Sequence, residues 1–399
     1  MTYATEPTLP APAHGPPRSA ARRVNLDSSG RAPWHPLARQ AFLEALEDGW
    51  ADPRRLHAEG RRAAALLDGA REAIAHALGA RTPEVHLTPS HAAALHAGVL
   101  ATAAGRRRAG GDVVVGAVER AAVLHAAQTA ASAQGGRRVV VPVDRQGRVE
   151  PQAMHDAIGA PGVAVAALQQ ANGEVGTLQP VEQVHAAARD AGVPLLVDAG
   201  AAVGHVEPAD TWDLLAADPA DWGAPAGLGV LAVRQRVRVL PPGPADPDPW
   251  APGGVSVPAA FAAAVGLQAV LADRAAEDAR RRALVDRIRA AAGVIRDVEV
   301  VGDPDDRLPH VVTFSCLYVD GEALLTELDR AGFATGSGSA CTSDTLEPSH
   351  VLAAMGVLTH GNVRITLDRT TTSEDVDRFL AALPRAVARV RDLLGVGGL

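Results

Sequence analysis

Short apolar runs alternate with helical segments between about residue 25 and residue 255 of this chain. The runs include "DVVVGAV", "GVAVAALQQ" and "VPLLVDAG", and segments such as "AAVLHAAQTAASAQ" and "PVEQVHAAARDAG" lie between them. Continuous Val, Leu and Ala runs bounded by turns are typical of strands buried on both faces, and the intervening helices provide the crossovers that parallel strands need. The pattern therefore predicts an α/β fold with a large, mostly parallel sheet.

Composition divides the chain into three parts. Residues 1–24 are rich in Pro and Ala and have no apolar signal core, which predicts a mobile tail. Residues 25–257 form the predicted large α/β domain. Residues 258–399 begin with a long helical pattern from Pro258 to Ala292 and continue with strand-like runs, which predicts a smaller α+β domain.

Charge and cysteine content exclude several classes of function. The net charge is −8 and the pI about 6.0, which argues against a nucleic-acid or anionic-membrane surface. No apolar run approaches the roughly 18 residues of a membrane span. Two cysteines form no disulfide scaffold, and no Cys/His cluster has zinc-site spacing, so a reduced, cytoplasmic setting is expected and no metal site is predicted.

The chain contains no lysine at all. Its 38 basic residues are all arginines. Replacement of Lys by Arg in an Ala- and Arg-rich chain explains a low lysine count, whereas complete absence indicates in addition that no role here requires a lysine side chain.

One Gly- and Ser-rich stretch, "TGSGSACTSDTLEPSHVLAAMG", has the composition of an accessible loop around a thiol. Gly336 and Gly338 free its backbone, and small residues flank Cys341. An exposed thiolate is a competent nucleophile. The alternative is a Gly/Ser turn with an incidental cysteine. Cys316, inside the apolar run "HVVTFSCLYV", is expected to be inert core.

From "NLDSSGRAP" to the last helix, the chain resembles the cysteine desulfurases of the class V aminotransferase fold. The blocks that carry the resemblance are "ANGEVGTLQPV", "LLVDAGAAVGHV", "GSACTSDTLEPSHVL" and "HGNVRITLDRTTTSEDVD". The resemblance implies fold type I of the transferases that depend on pyridoxal phosphate (PLP), and a dimer. In that family, PLP on a lysine activates cysteine, and a loop cysteine takes the sulfur as a persulfide.

Four residues match functional positions of the family. Cys341 matches the sulfur-accepting cysteine, and Arg364 matches the arginine that grips the substrate carboxylate, a role suited to its bidentate fork. Asn172 matches the first Asn of the family's N-N-E-x-G motif and is a predicted substrate-binding residue. Asp198 matches the carboxylate that keeps the pyridine nitrogen of the cofactor protonated, and it ends an apolar strand, where α/β sheets place ligand contacts.

Most other cofactor positions depart from the family pattern. The lysine position is Asp221, and the stacking histidine is replaced by Arg120. The phosphate turn reads Ser90-His91-Ala92. Further departures are Gly173, Ala201, Asp218, Pro219 and Ala220. Without a side-chain amine, only the N-terminal amine remains for an aldimine, and the new acids would repel a phosphate ester. Covalent PLP chemistry is therefore not expected, and non-covalent binding has little support.

Several functions remain open. The chain is expected to be a degenerate desulfurase homologue that accepts a persulfide on Cys341 or acts as a non-catalytic partner. It is expected to form a homodimer, or a heterodimer with a desulfurase. A sulfur-acceptor protein would be a further partner. One alternative is an enzyme with a lysine-independent site built from His91, Arg120, Asp218 and Asp221 with Cys341. Others are a subunit active only with a partner that supplies the missing groups, and a purely structural role. A cofactor cavity filled by Pro219 and Trp222 would favour the degenerate homologue. An open polar pocket would favour the enzyme with a lysine-independent site.

Overall fold

A computed structural model describes residues 22–338 and 348–395 of the chain. Its largest sheet has seven strands in the order β2-β8-β7-β6-β5-β3-β4. The strands are β2 Val85–Thr88, β3 Asp112–Gly116, β4 Arg138–Val141, β5 Val163–Gln169, β6 Leu195–Asp198, β7 Leu214–Ala217 and β8 Gly229–Val233. The pairs from β4 through β3, β5 and β6 to β7 are parallel, and β8 is antiparallel to both β7 and β2. The predicted α/β architecture is confirmed.

Helices cover both faces of this sheet, as continuous apolar strands require. One face packs against α3 His91–Gly105 and α4 Ala121–Ala133. The other face packs against α2 Ala58–Ala77, α5 Pro151–Ile158, α6 Val181–Asp190 and α7 Val257–Ala272. Helix α1 Pro36–Asp48 lies against α7 and α2. The strands are buried at nearly every position, which explains why their sequences show no polar alternation.

A second, smaller sheet has the antiparallel order β12-β10-β9. Its strands are β9 Val298–Val301, β10 Val311–Cys316 and β12 Asn362–Thr366. Helices α8 Arg274–Gly293, α9 Gly321–Arg330 and α11 Ser373–Leu393 enclose its core. A two-stranded parallel sheet joins β1 Val24–Asn25 to β11 Phe333–Ala334, and α10 is His350–Met355. Cys316 is fully buried in β10, as expected, and burial raises its thiol pKa to about 12.

The long helical pattern predicted from Pro258 to Ala292 is two helices. Helices α7 and α8 meet at Asp273 at an angle of 72°. The carbonyl of Asp273 accepts the amides of Ala276 and Glu277, so a new helix starts there although the composition is continuous. Among the described residues, no single helix is long and apolar enough to cross a membrane. The bent pair α7 and α8 has the length and composition of a membrane span only when the two helices are counted together.

Candidate functional site

The carboxyl ends of β5, β6 and β7 lie together at one edge of the large sheet, because Gln169 pairs with Asp198 and Asp198 with Ala216. Helix α3 points its N-terminus at the same edge. It begins at His91 because the Ser90 hydroxyl accepts a hydrogen bond from the Ala93 amide at 3.1 Å. This edge holds the predicted cofactor residues Asp198, Ser90 and His91.

Both carboxylate oxygens of Asp198 are already engaged by side chains of this chain. Oδ1 lies 2.9 Å from Nε2 of His91 and accepts the amide of Gly200 at 2.9 Å. Oδ2 lies 3.0 Å from Nε of Arg120. Asp198 is 2% exposed. An imidazole and a guanidinium thus hold the carboxylate that, by the family resemblance, would hold a pyridinium nitrogen.

The imidazole of His91 packs directly on Gly200. A Cβ atom on Gly200 would lie 2.2 to 2.8 Å from three atoms of the ring, closer than carbon atoms approach without bonding. Gly200 is therefore needed for this close contact. His91 is 6% exposed, and its other nitrogen, Nδ1, is 4.0 Å from Asp218. The imidazole lies between two carboxylates and nearly out of contact with water.

The two carboxyls beside His91 differ in acidity. Burial acts to raise the pKa of Asp198, but the charges of His91 and Arg120 and the hydrogen bonds to it hold that pKa well below its usual value. Burial raises the pKa of Asp218, and the neighbouring Asp221 adds to that rise, while His91 only partly offsets it. Asp198 is therefore the fixed anion of the cluster, and Asp218 is the group more readily protonated.

Asp221, at the lysine position, is buried and contacts residues other than Asp198, His91 and Arg120. Its Oδ1 accepts the Gly30 amide at 2.8 Å, and its Oδ2 lies 3.0 Å from Nε2 of His205. Burial acts to raise its pKa, but the hydrogen bonds from His205 and from the Gly30 amide bring the net pKa below the usual value. Asp221 is thus a buried carboxylate with its own partners.

A buried network extends from Asp221 to helix α8 and to the segment before β10. Nη1 of Arg281, on α8, lies 3.1 Å from Nδ1 of His205, and the His205 ring stacks on His310 with centroids 3.8 Å apart. These residues line a cavity of about 70 Å³ beside Trp222. Burial lowers the pKa of His310 well below its usual value, and the charge of Arg281 adds to that lowering.

His205, Asp221 and His310 place one potential metal-ligand atom each within 4.8 Å of the others. Arg281 has only donors, so Nδ1 of His205 must accept from it, and the neutral ring then carries its proton on Nε2, toward Asp221. A metal ion at Nε2 would have to displace both that proton and Arg281. The observed contacts therefore favour a hydrogen-bonded network over a metal centre.

Trp222, which could have filled the cofactor position, packs against α7 instead. Its indole nitrogen donates to the Ala263 carbonyl on α7 at 3.1 Å, and its side chain packs beside Gly204 and Gly266. The side chain that covers Asp198 is that of His91.

The predicted substrate residues lie across β12 and the loop after β5. Nη2 of Arg364 is 3.2 Å from Oδ1 of Asp27, and its backbone pairs with Gly336. The Asn172 amide joins two loops: its Oδ1 accepts from the amides of Glu174 and Val175 in its own loop, and its Nδ2 donates to the Val118 carbonyl in the loop after β3 at 3.2 Å. Asn172 shapes the loop with these bonds.

The predicted nucleophile, Cys341, lies outside the described residues. The sequence interpretation missed Asp27 as a partner of Arg364, and it missed His205, Arg281 and His310 as partners of the lysine position. No spacing or composition signal marks these four residues, because their contacts join distant parts of the chain.

Comparison with known proteins agrees with this architecture. The aminotransferase class V family model matches residues 24–379. A cysteine desulfurase IscS of Methanosarcina thermophila is 31% identical and aligns over 93% of this chain and 94% of its own length. A cysteine desulfurase NifS of Azotobacter vinelandii is 33% identical over 89% of this chain and 90% of its own. The apo structure of a cysteine desulfurase from Thermococcus onnurineus superposes with a TM-score of 0.82 at 21% identity, covering 92% of this chain and 94% of that one.

Proposed function

The chain belongs to the aminotransferase class V family, and from that premise we propose that it is a degenerate cysteine desulfurase homologue that acts in sulfur transfer. In this proposal it forms no PLP aldimine and performs no desulfuration by itself. It accepts a persulfide on Cys341 from an active desulfurase, or serves as that enzyme's non-catalytic partner. Cytoplasmic residence and a homodimer or heterodimer are parts of the same proposal.

The pairing of Asp198 carries this proposal. A PLP ring would need one oxygen of that carboxylate, and His91 and Arg120 engage both. The sequence offers no lysine, and Asp221 is engaged by Gly30 and His205. The residues present therefore do not fit the cofactor. A chain that keeps the family's loop cysteine in its sequence without a fit for the cofactor suits sulfur relay better than desulfuration.

The proposed chemistry is a thiol exchange that needs no further oxidant. The Cys341 thiolate attacks the terminal sulfur of a persulfide on the donor enzyme. A new S–S bond forms on Cys341, the donor's S–S bond breaks, and its electron pair stays on the donor cysteine as a thiolate, which then takes up a proton. One sulfur atom moves, and the total oxidation state is unchanged.

Intact-mass measurement tests this function. The protein is incubated with cysteine, PLP and an active cysteine desulfurase, and in a parallel sample without the desulfurase. We expect the chain to gain the mass of one sulfur atom only when the desulfurase is present, and the Cys341→Ser variant to gain none. Alanine and sulfide produced from cysteine by this chain alone would overturn the proposal.

A second candidate function rests on the His91–Asp198 contact. An imidazole paired with a fixed anion has the arrangement of a general base, which is the core of a lysine-independent active site. If this reading holds, an activity found for the protein will fall strongly in His91→Gln and in Asp198→Asn. The sulfur-relay proposal instead expects both variants to accept sulfur at the wild-type rate.

A further inference from the structure

The cavity beside Trp222 lies apart from the Asp198 cluster, since its described lining includes none of Asp198, His91 and Arg120. The segment before α1, the loops after β6, β7 and β12, and helices α7 and α8 enclose it. Its volume of about 70 Å³ has room for about five water molecules, or for one molecule of similar size. Sites for drug-sized ligands begin at roughly 300 Å³. The cavity therefore suits a single small ring.

Most of the cavity wall is apolar. Trp222 is fixed in it, because its indole nitrogen donates to the Ala263 carbonyl at 3.1 Å. Gly204 has a left-handed φ of 88°, and a Cβ atom there would lie 3.0 Å from Cβ of Trp222, so the wall is closely packed at this point. The Trp34 ring stands edge-on to Phe42, with ring centroids 5.3 Å apart. The other apolar residues of the wall are Ala32, Pro33, Pro36, Val270 and Leu367. A ligand that fills this space must itself be largely apolar.

The cavity reaches the surface at the segment before α1. Pro33, Trp34 and Pro36 line it and are exposed, and Trp34 is 41% exposed. Trp222 and His310 line it as well and are almost fully buried. The segment before α1 therefore forms the entrance, and the ring of Trp34 lies at it.

Each charged residue that lines the cavity already has a partner. Asp221 is paired with His205, and Arg281 donates to Oδ1 of Asp278 at 3.2 Å. The other two are likewise engaged, Asp368 by backbone amides of its own loop and Arg369 by Asp273. The cavity thus offers a ligand no free charge to pair with, which favours an uncharged ligand.

His310 presents a hydrogen-bonding group that the described residues leave unused. The residue lines the cavity, is 4% exposed, and its Nδ1 has no hydrogen-bond partner in the part of the chain that the structure describes. Its ring stacks on His205 and is neutral, because burial lowers its pKa well below the usual value. A neutral imidazole has one donor and one acceptor nitrogen, and a hydroxyl group both donates and accepts, so a hydroxyl suits either tautomer. A ligand hydroxyl would remove the cost of the unpaired nitrogen.

We propose that this cavity, lined by Trp34, Trp222 and His310, binds a small uncharged aromatic molecule that carries one hydroxyl group. The ring of the ligand lies against the two tryptophans, and its hydroxyl bonds to the imidazole of His310. The proposal goes beyond the sulfur-transfer function and does not depend on it.

Calorimetric titration of phenol into the full chain tests the proposal. We expect saturable binding of one phenol per chain. Trp34→Ala is expected to weaken phenol binding roughly fivefold, because it removes an aromatic wall at the entrance. Trp50→Ala is the matched control: it removes an exposed tryptophan that does not line this cavity, and we expect it to leave the affinity unchanged.

His310→Leu tests the hydrogen bond. We expect it to weaken phenol binding roughly tenfold and to leave the binding of benzene, which has no hydroxyl group, as in the wild type. His310→Gln keeps a hydrogen-bonding side chain and is expected to bind phenol more tightly than His310→Leu.

A wild-type chain that shows no saturable phenol binding would overturn the proposal. Equal phenol affinities in Trp34→Ala and Trp50→Ala would overturn it as well, because phenol would then bind elsewhere. This tryptophan pair decides alone if the His310 variants do not fold. Equal losses of phenol and benzene binding in His310→Leu would contradict the hydrogen bond to His310.

Discussion

Asp198 and Asp221 are both buried carboxylates, yet each has a separate set of partners. Asp198 is paired with His91 and Arg120, and Asp221 with His205 and the Gly30 amide. A buried charge persists only when it is paired and hydrogen-bonded. The charged residues around the family's cofactor position are therefore paired with each other, and restoring one of them leaves the other pairs in place.

This pairing predicts the outcome of restoring the lysine. Asp221→Lys alone is expected to form no PLP adduct, because Asp198 stays paired with His91 and Arg120 and the new amine has His205 and Arg281 nearby. Asp221→Lys combined with His91→Ala and Arg120→His is expected to form one. Borohydride reduction followed by intact-mass measurement detects the adduct, and an adduct on the single variant would contradict the account.

At the scale of helices and strands, local pattern predicts much of the fold and little of the site. Most strands of the large sheet follow from apolar runs and turn residues, since each run is local, but β2, with the sequence VHLT, was not predicted. Arg281 and His205 are 76 residues apart and meet only because α8 packs beside the loop after β6. The bend at Asp273 could not be predicted from local pattern, because helical composition continues across it.

The pairing of His205 with Asp221 makes a quantitative prediction about stability. His205→Ala leaves the buried Asp221 carboxylate without its imidazole and removes one of the acceptors of Arg281, so we expect the free energy of unfolding to fall by about 3 kcal/mol. Adding Asp221→Asn in the same chain removes the buried charge and should recover part of that loss. Urea unfolding of the four proteins in this cycle measures the coupling, and strictly additive losses would contradict the pairing.

His310 predicts a pH dependence. Its pKa in the folded chain is well below the unfolded value, so the unfolded chain binds more protons as the pH falls below about 6.5, and stability falls with it. One such group contributes at most about 1.4 kcal/mol per pH unit. We expect His310→Gln to reduce the loss of stability between about pH 6.5 and pH 5 in urea unfolding; an unchanged slope would show that His310 is protonated in the folded chain.

For the whole molecule, helix α1 leaves one apolar face uncovered. Leu43, Leu46 and Trp50, at and just after the helix, are 49%, 46% and 69% exposed. Apolar surface of this kind is typical of a protein interface. It agrees with the proposed homodimer or heterodimer.

The face on α1 gives a prediction about assembly. If the proposed dimer forms through this face, Leu46→Glu combined with Trp50→Glu is expected to convert it to a monomer in size-exclusion chromatography with light scattering, because two charges would be buried without partners. Leu394→Glu, at an exposed leucine after α11, is the matched control and should leave the dimer intact. A dimer that survives the double change would place the interface elsewhere.

The central claim is that the chain's own side chains engage Asp198 at the cofactor position and leave no fit for PLP. An absorption spectrum tests this claim most directly. The purified protein is saturated with PLP, freed of excess by gel filtration, and scanned through the near ultraviolet and visible range. We predict no retained cofactor band, because His91 and Arg120 hold Asp198 and no lysine is present. A stoichiometric band that persists after gel filtration would contradict the account and show that the cofactor binds without a lysine.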